Sequence, residues 1–279
     1  IPDEERHYST IAASSIGIAI HHLSADKYQL FESELSAPEP FLVSPFSGQF
    51  NDLLRLMTGH GRVALTGYDG DALMNETRCS YLGRLKARIK TKREEISYPA
   101  WIDESFAKRI ELKDRVREVW SEPRVNNKRN SETMRALQSK VWAPLFEGYD
   151  PGATRLPLEV RHPFMDVRLV EYLLSIPVKP WRLNKNILRR AMKGRLPDSI
   201  IDRPKTPLAG DPALQLSWRA GVRWRDKFEV TPQLTRFVNL SRGRSTAEET
   251  PNELWANLRL FAFSHWLTHS LPLDRRMVA

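Results

Sequence analysis

Three short stretches carry residue types and spacings that suit chemistry on phosphate. The first is Thr66-Gly67-Tyr68-Asp69-Gly70-Asp71, which follows the apolar run "RVALT" and opens "GDALM". A strand that passes through such a turn into a helix leaves backbone N–H groups open at the carboxyl edge of a parallel sheet, where anions bind. Asp71, at the helix start, suits either of two tasks, capping the helix or reaching a Mg²⁺ that bridges phosphates. The second stretch is "LPLEVRHPFMD", in which Glu159 and Arg161 sit two positions apart before Pro163. In an extended segment they share a face, with Val160 and His162 opposite. A Glu and an Arg so placed form a structural ion pair or a charged site, and the spacing alone does not choose. The third is "LPDSIIDRPKTPLAG", where Pro197 and Pro204 restrict the backbone around Arg203 and Lys205. A lysine on a rigid basic loop is a good phosphate ligand.

Periodicity supplies the elements that position these residues. Residues 3 to 17 read as a helix, with Asp3 as a cap and Gly17 as a stop. "IAIHHL" reads as a strand, residues 50 to 58 as a helix ending at Gly59, and "RVALT" as a second strand running into the helix of "GYDGDALM". This αβαβα rhythm is that of a parallel sheet. A proline-rich loop, "SAPEPFLVSPFSG", separates the two strands. Beyond about residue 78 the strand pattern gives way to helices broken by prolines, and no internal repeat occurs. Asp166 is placed to cap a helix whose Leu169, Val170, Leu173 and Leu174 form one apolar stripe. Doubly wound sheets usually have about five or six strands, so further strands are expected upstream.

Composition narrows the function class. A chain of 279 residues with 41% hydrophobic residues can bury a large core. No apolar run approaches the ~18 residues of a membrane span, and the start, "IPDEE", lacks a signal-peptide pattern, so a soluble cytoplasmic fragment with no membrane partner is expected. A single cysteine, Cys79, excludes an internal disulfide and a cysteine-rich zinc site. The net charge of +9 favours a polyanionic partner. Its densest part, "RLKARIKTKREE", carries basic residues beside a helical apolar stripe without the interleaved aromatics of a base-stacking surface, which disfavours nucleic acid. His265 and His269 have helical metal-ligand spacing but no evident third ligand, and only one of His21 and His22 could reach a nucleotide cleft from a strand.

Taken in order, T-G-x-x-G-D, P-x-W-x-x-x-x-F at "PAWIDESF", "LFEGYD", E-x-R-x-P-F-x-D, "ILRRAMKGRLP" and R-P-K resemble the synthetase domain of the asparagine synthetase family. That family includes the β-lactam synthetases and the lasso-peptide cyclases, and the resemblance extends to the tryptophan-bearing "ELWANLRLFAFSHWL". It implies an α/β fold: a partial parallel-sheet, Rossmann-like nucleotide-binding unit of the adenine nucleotide alpha hydrolase kind, followed by a mainly helical subdomain. Residues 1–80 would be the carboxyl-terminal portion of an ATP-pyrophosphatase-type domain, and residues 81–279 the helical part. The implied activity is AMP-forming amide ligation with ATP and Mg²⁺, on a small-molecule or peptide carboxylate, with glutamine-derived ammonia or another amine as acceptor. On that template Lys205 and Glu159 are catalytic. Thr66, Gly67, Gly70, Asp71 and Arg161 bind the nucleotide side, and Asp71 also meets the metal. Glu159 matches the position of a base-orienting dyad in β-lactam synthetase-like members, and the resemblance puts Glu159 and Arg161 at the rear of the cleft.

Two departures qualify this reading. The adenylate-forming loop S-G-G-x-D-S is absent, the nearest string being "PFSGQF", so the chain alone is not expected to turn over ATP. The turn that usually reads T-G-x-G-G-D-E, with an acidic third residue, has Tyr68 third, Asp69 for a glycine and Ala72 for the glutamate. An intramolecular amide-forming cyclase is therefore the alternative. A tRNA-binding pyrophosphatase-loop protein and a non-catalytic scaffold are the readings from other classes.

Overall fold

The computed structural model describes residues 4–32, 44–68, 70–74, 98–120, 131–204, 210–217, 231–239 and 251–269. Cys79 and the basic run around residues 84–93 lie outside them. Helix α1, Glu5–Ser15, stops at Gly17, whose φ of +68° is the left-handed conformation that suits glycine. Helix α2, Ser47–His60, begins before the expected residue 50 and ends against Gly61, two residues beyond the Gly59 expected to stop it.

The segment between them corrects a sequence expectation. Residues 18–23 form no strand, and Ile16, Ile18 and Ile20 are exposed. A strand exists only by pairing, and no described segment offers this one an edge. Side chains hold it instead: His22 Nε2 lies 3.2 Å from Thr10 Oγ1, and the His21 ring lies 4.9 Å from that of His60.

Strand β1, Val63–Leu65, pairs in parallel with β2, Glu159–Arg161, in the register Val63 to Glu159 and Leu65 to Arg161. The sheet therefore continues past the point where the strand pattern fades, through a segment too short and too charged to stand out. Helix α3, Gly70–Met74, follows β1. Next come α4, Glu104–Arg109, capped by Asp103, and α5, Leu112–Trp120. Then α6, Ser131–Leu137, α7, Trp142–Glu147, and α8, Pro151–Thr154, lead to β2. After it stand α9, Val167–Ser175, α10, Asn186–Met192, α11, Asp198–Ile201, α12, Pro212–Ser217, and the long α13, Pro251–His269. The fold is thus helix-rich with a small parallel sheet, an α/β mixture.

One apolar cluster matters most for function. Leu73 and Met74 of α3 and Leu173 of α9 are buried together, packed by Phe164, Leu169, Val170, Ile187 and Leu188. The stripe expected on α9 supplies its share, and the helices of three separate motifs converge on one core. A second cluster joins Leu30 and Phe31 to α12 and α13 through Ala213, Leu216, Leu254 and Leu258. A third sets Leu234 and Val238 against Leu260.

Candidate functional site

The turn after β1 begins where the ladder ends. Thr66 N–H donates to the Arg161 carbonyl at 3.0 Å, so the chain leaves the sheet only at Gly67. Gly67 has open space where a side chain would stand, whereas a Cβ on Gly70 would meet the Phe164 ring at 3.2 Å and Met74 Cε at 3.3 Å. Gly70 is the point of close approach, and it seats the turn on the Pro-Phe of the second motif.

Asp71 stands in the first turn of α3 with its carboxylate 57% exposed, and Oδ1 meets the Lys185 ammonium. Lys185 escaped the sequence reading, where it was one of several cations in "NKNILRRAMKGR". Its backbone is the physical reason. Asn184 and Lys185 are both left-handed, at φ 51° and 57°, a conformation that disfavours non-glycine residues by roughly 1–2 kcal/mol each. Two hydrogen bonds brace that segment: Asn186 Nδ2 donates to the Pro180 carbonyl at 2.9 Å, and Arg189 Nε to the Asn184 carbonyl at 3.0 Å.

Arg189 does more than brace. Its remaining N–H groups donate to the Ile201 carbonyl and, at 2.8 Å, to the Arg203 carbonyl, which fastens the entry to the R-P-K loop. Arg203 in turn donates to Glu5 Oε1 at 2.7 Å and lies 4.1 Å over the Tyr8 ring. Glu5, Tyr8, Asp71, Lys185, Arg189 and Arg203 all line one cavity of about 870 Å³, within the usual size range for small-molecule sites. Lys205 and Asp69 lie outside the described residues.

Glu159 and Arg161 share a face, as alternation requires, and Arg161 Nε donates to Glu159 Oε1 at 2.7 Å. The pair stands on the open side of the sheet beside exposed Val63 and Leu65, and neither residue is among those lining the Asp71 cavity. The Arg161 hydrogen bond, aided by its charge, holds the Glu159 carboxyl below its ordinary pKa. A carboxylate held anionic in this way is a poor proton acceptor and a good orienting group.

The opposite face carries a ring cluster. His162 Nδ1 lies 2.8 Å from Thr66 Oγ1, and its ring centroid is 4.6 Å from Phe146, 5.4 Å from Tyr149 and 6.2 Å from Tyr68. Tyr68, which stands where an acidic residue is usual, also meets Tyr149 edge-on at 6.3 Å. Burial pushes the His162 pKa down and the Tyr149 phenol up. "LFEGYD" and E-x-R-x-P-F-x-D thus meet at this cluster.

Among the described residues no group of three or more His, Cys, Asp or Glu side chains is placed to hold a metal, so His265 and His269 gain no partner of that kind. No described helix is long and apolar enough to cross a membrane.

The family model described as asparagine synthase matches residues 2–267. A 56-residue stretch is 50% identical to asparagine synthetase [glutamine-hydrolyzing] 3 of Bacillus subtilis (strain 168), covering 18% of this chain and 9% of that protein. The aligned stretch is thus a small part of the curated relative. With the family match running over nearly the whole chain, the chain belongs to the asparagine synthase family.

Proposed function

We propose that the protein is an ATP-dependent amide ligase that releases AMP and pyrophosphate. Membership of the asparagine synthase family over residues 2–267 carries this reading, and the cavity that gathers Asp71, Lys185 and Arg189 supports it. In the proposed reaction a substrate carboxylate oxygen attacks the α-phosphorus of ATP, and the bond to the β-phosphate oxygen breaks, releasing pyrophosphate. An amine then attacks the acyl carbon, AMP leaves, and the amine gives up a proton. Catalysis rests on positioning and charge stabilisation. Lys185 and Lys205 would meet charge on the departing pyrophosphate, with Thr66, Gly67 and Gly70 holding it through the turn. Glu159 orients the acceptor side, and Arg161 keeps that carboxylate ionised or meets an anionic group.

Mg²⁺ commonly binds through one or two carboxylates plus substrate phosphates, and Asp71 is a partly exposed carboxylate at the turn, so the donor set fits. When bound there it would neutralise phosphate charge. We propose further that residues 1–80 belong to the nucleotide-binding part and 81–279 to the helical part, and that the protein works in the cytoplasm. The acceptor would be ammonia derived from glutamine or an amine. Tyr68, in place of the usual acidic residue, favours as second reading an intramolecular cyclase, in which carboxylate and amine belong to one substrate.

The test incubates the full-length protein with ATP, Mg²⁺ and candidate carboxylates, aspartate and peptides among them, and separates the nucleotides. AMP and pyrophosphate in equal amounts are expected. ADP and phosphate in their place would overturn the reading, and a product mass equal to substrate less one water would select the cyclase.

A further inference from the structure

Thr66 opens the turn assigned above to pyrophosphate, and its hydroxyl has one proton to donate. Where that proton points depends on His162, whose Nδ1 lies 2.8 Å from Thr66 Oγ1. If Nδ1 is bare, the hydroxyl donates to it and is lost to a ligand. If Nδ1 carries hydrogen, the ring donates to Oγ1 and the hydroxyl proton is free.

The surroundings of the ring favour the second arrangement. Phe146, Tyr149 and Tyr68 pack around it, and Glu159 and Arg161 point to the other face of the sheet, so among the described residues the ring has no carboxylate beside it. A proton on Nε2 would meet no acceptor side chain or carbonyl among the described residues. On Nδ1 it has an oxygen to meet, and an acceptor without a partner is the less costly vacancy. Burial also disfavours the imidazolium. An acidic residue at position 68 would draw a second proton to the ring, and the neutral Tyr68 does not.

We propose that His162 is a positioning residue for the turn: carrying its proton on Nδ1 and donating to Thr66 Oγ1, it leaves the threonine hydroxyl free to donate to a phosphate oxygen. This rests on the ligase reading, and on Thr66 meeting pyrophosphate within it.

The probe is magnesium pyrophosphate, titrated calorimetrically into the full-length protein, with melting temperature recorded for each variant. His162→Phe keeps the ring and loses the donor, and is expected to weaken binding about tenfold, the value of one hydrogen bond to a charged group. His162→Asn places an amide N–H where Nδ1–H stood and is expected to recover affinity to within about threefold. Thr66→Val should match His162→Phe, and the double variant should be no weaker than either, because the two residues act as one unit. Should His162→Phe fail to fold, Thr66→Val and His162→Asn carry the test. Wild-type affinity in His162→Phe or in Thr66→Val, or an Asn variant weakened about tenfold, overturns the proposal alone. Failure of the wild type to bind magnesium pyrophosphate overturns the ligase reading and this one with it.

Discussion

Glu159 and Arg161 hold each other at 2.7 Å while their side chains remain 59% and 60% exposed. Water screens such a pair, its contribution to stability is small, and losing either partner should not by itself unfold the protein. Glu159→Gln is expected to leave the melting temperature unchanged while the amide-forming step slows and adenylate accumulates. Trapped adenylate and melting should be measured on the same sample, and a lowered melting point without adenylate would sink the catalytic role. Lys205→Ala is expected to reduce turnover about a hundredfold with the fold intact, a typical loss for one group that stabilises transition-state charge. Asp71→Asn should raise the Mg²⁺ concentration needed for half-maximal activity, and an unchanged Mg²⁺ titration would remove Asp71 from the site. Asp71 stood out in the sequence by its place between an apolar strand and a helix, but a turn with Gly and Asp is common there, and only its place in the cavity singles it out. Lys185 did not stand out, because its aim depends on two left-handed residues that no local pattern signals. His162 could have been found: alternation puts it opposite Glu159 and Arg161, on the side where Val160 turns inward.

At the scale of elements, β1 and α9 stood out because one hydrophobic period and one capping residue sufficed to mark each. "IAIHHL" carries a strand pattern as well, and failed because pattern states only what a segment can pair with. β2 shows the converse, three residues given strand form by a partner far away in sequence. Asp166 Oδ1 accepts from Arg168 N–H at 2.9 Å, and the Arg168 side chain, the largest influence, helps bring its pKa from 3.8 to about 2. A carboxyl depressed in the folded state stabilises the fold above its unfolded pKa, and that stabilisation fades as pH falls from about 4 through about 2. Asp166→Asn keeps a capping side chain but lacks the charge that Arg168 meets, so melting should fall near neutrality and this acid-side loss should disappear. A melting curve against pH for both proteins checks it, an identical acid slope being the contrary result. Phe164, packed on Gly70 and on the Leu73 cluster, is the more consequential contact. Phe164→Ala should lower stability by about 3 kcal/mol in urea, the range for losing a core aromatic, with an unchanged m-value.

For the molecule as a whole, a charge of +9 raises the question of nucleic acid. Binding through phosphates alone falls steeply with salt. Retention of tRNA at low salt is therefore expected to vanish near physiological ionic strength, and a salt-resistant, sequence-selective complex would favour the tRNA reading instead. The order in which the chain is made has its own consequence. Thr66 and His162 are separated by 96 positions, and β1 has no sheet partner among the described residues until β2 exists. A ribosome adding 5–20 residues per second needs roughly 5 to 20 s to cover that distance. Throughout that interval Val63 and Leu65 lack the strand that pairs with them among the described residues, and parallel pairing over so long a loop is slow to close. The contact that completes the turn is thus also the one that ends its exposure to chaperones and to neighbouring chains, and a synonymous slow codon between residues 66 and 162 would lengthen it.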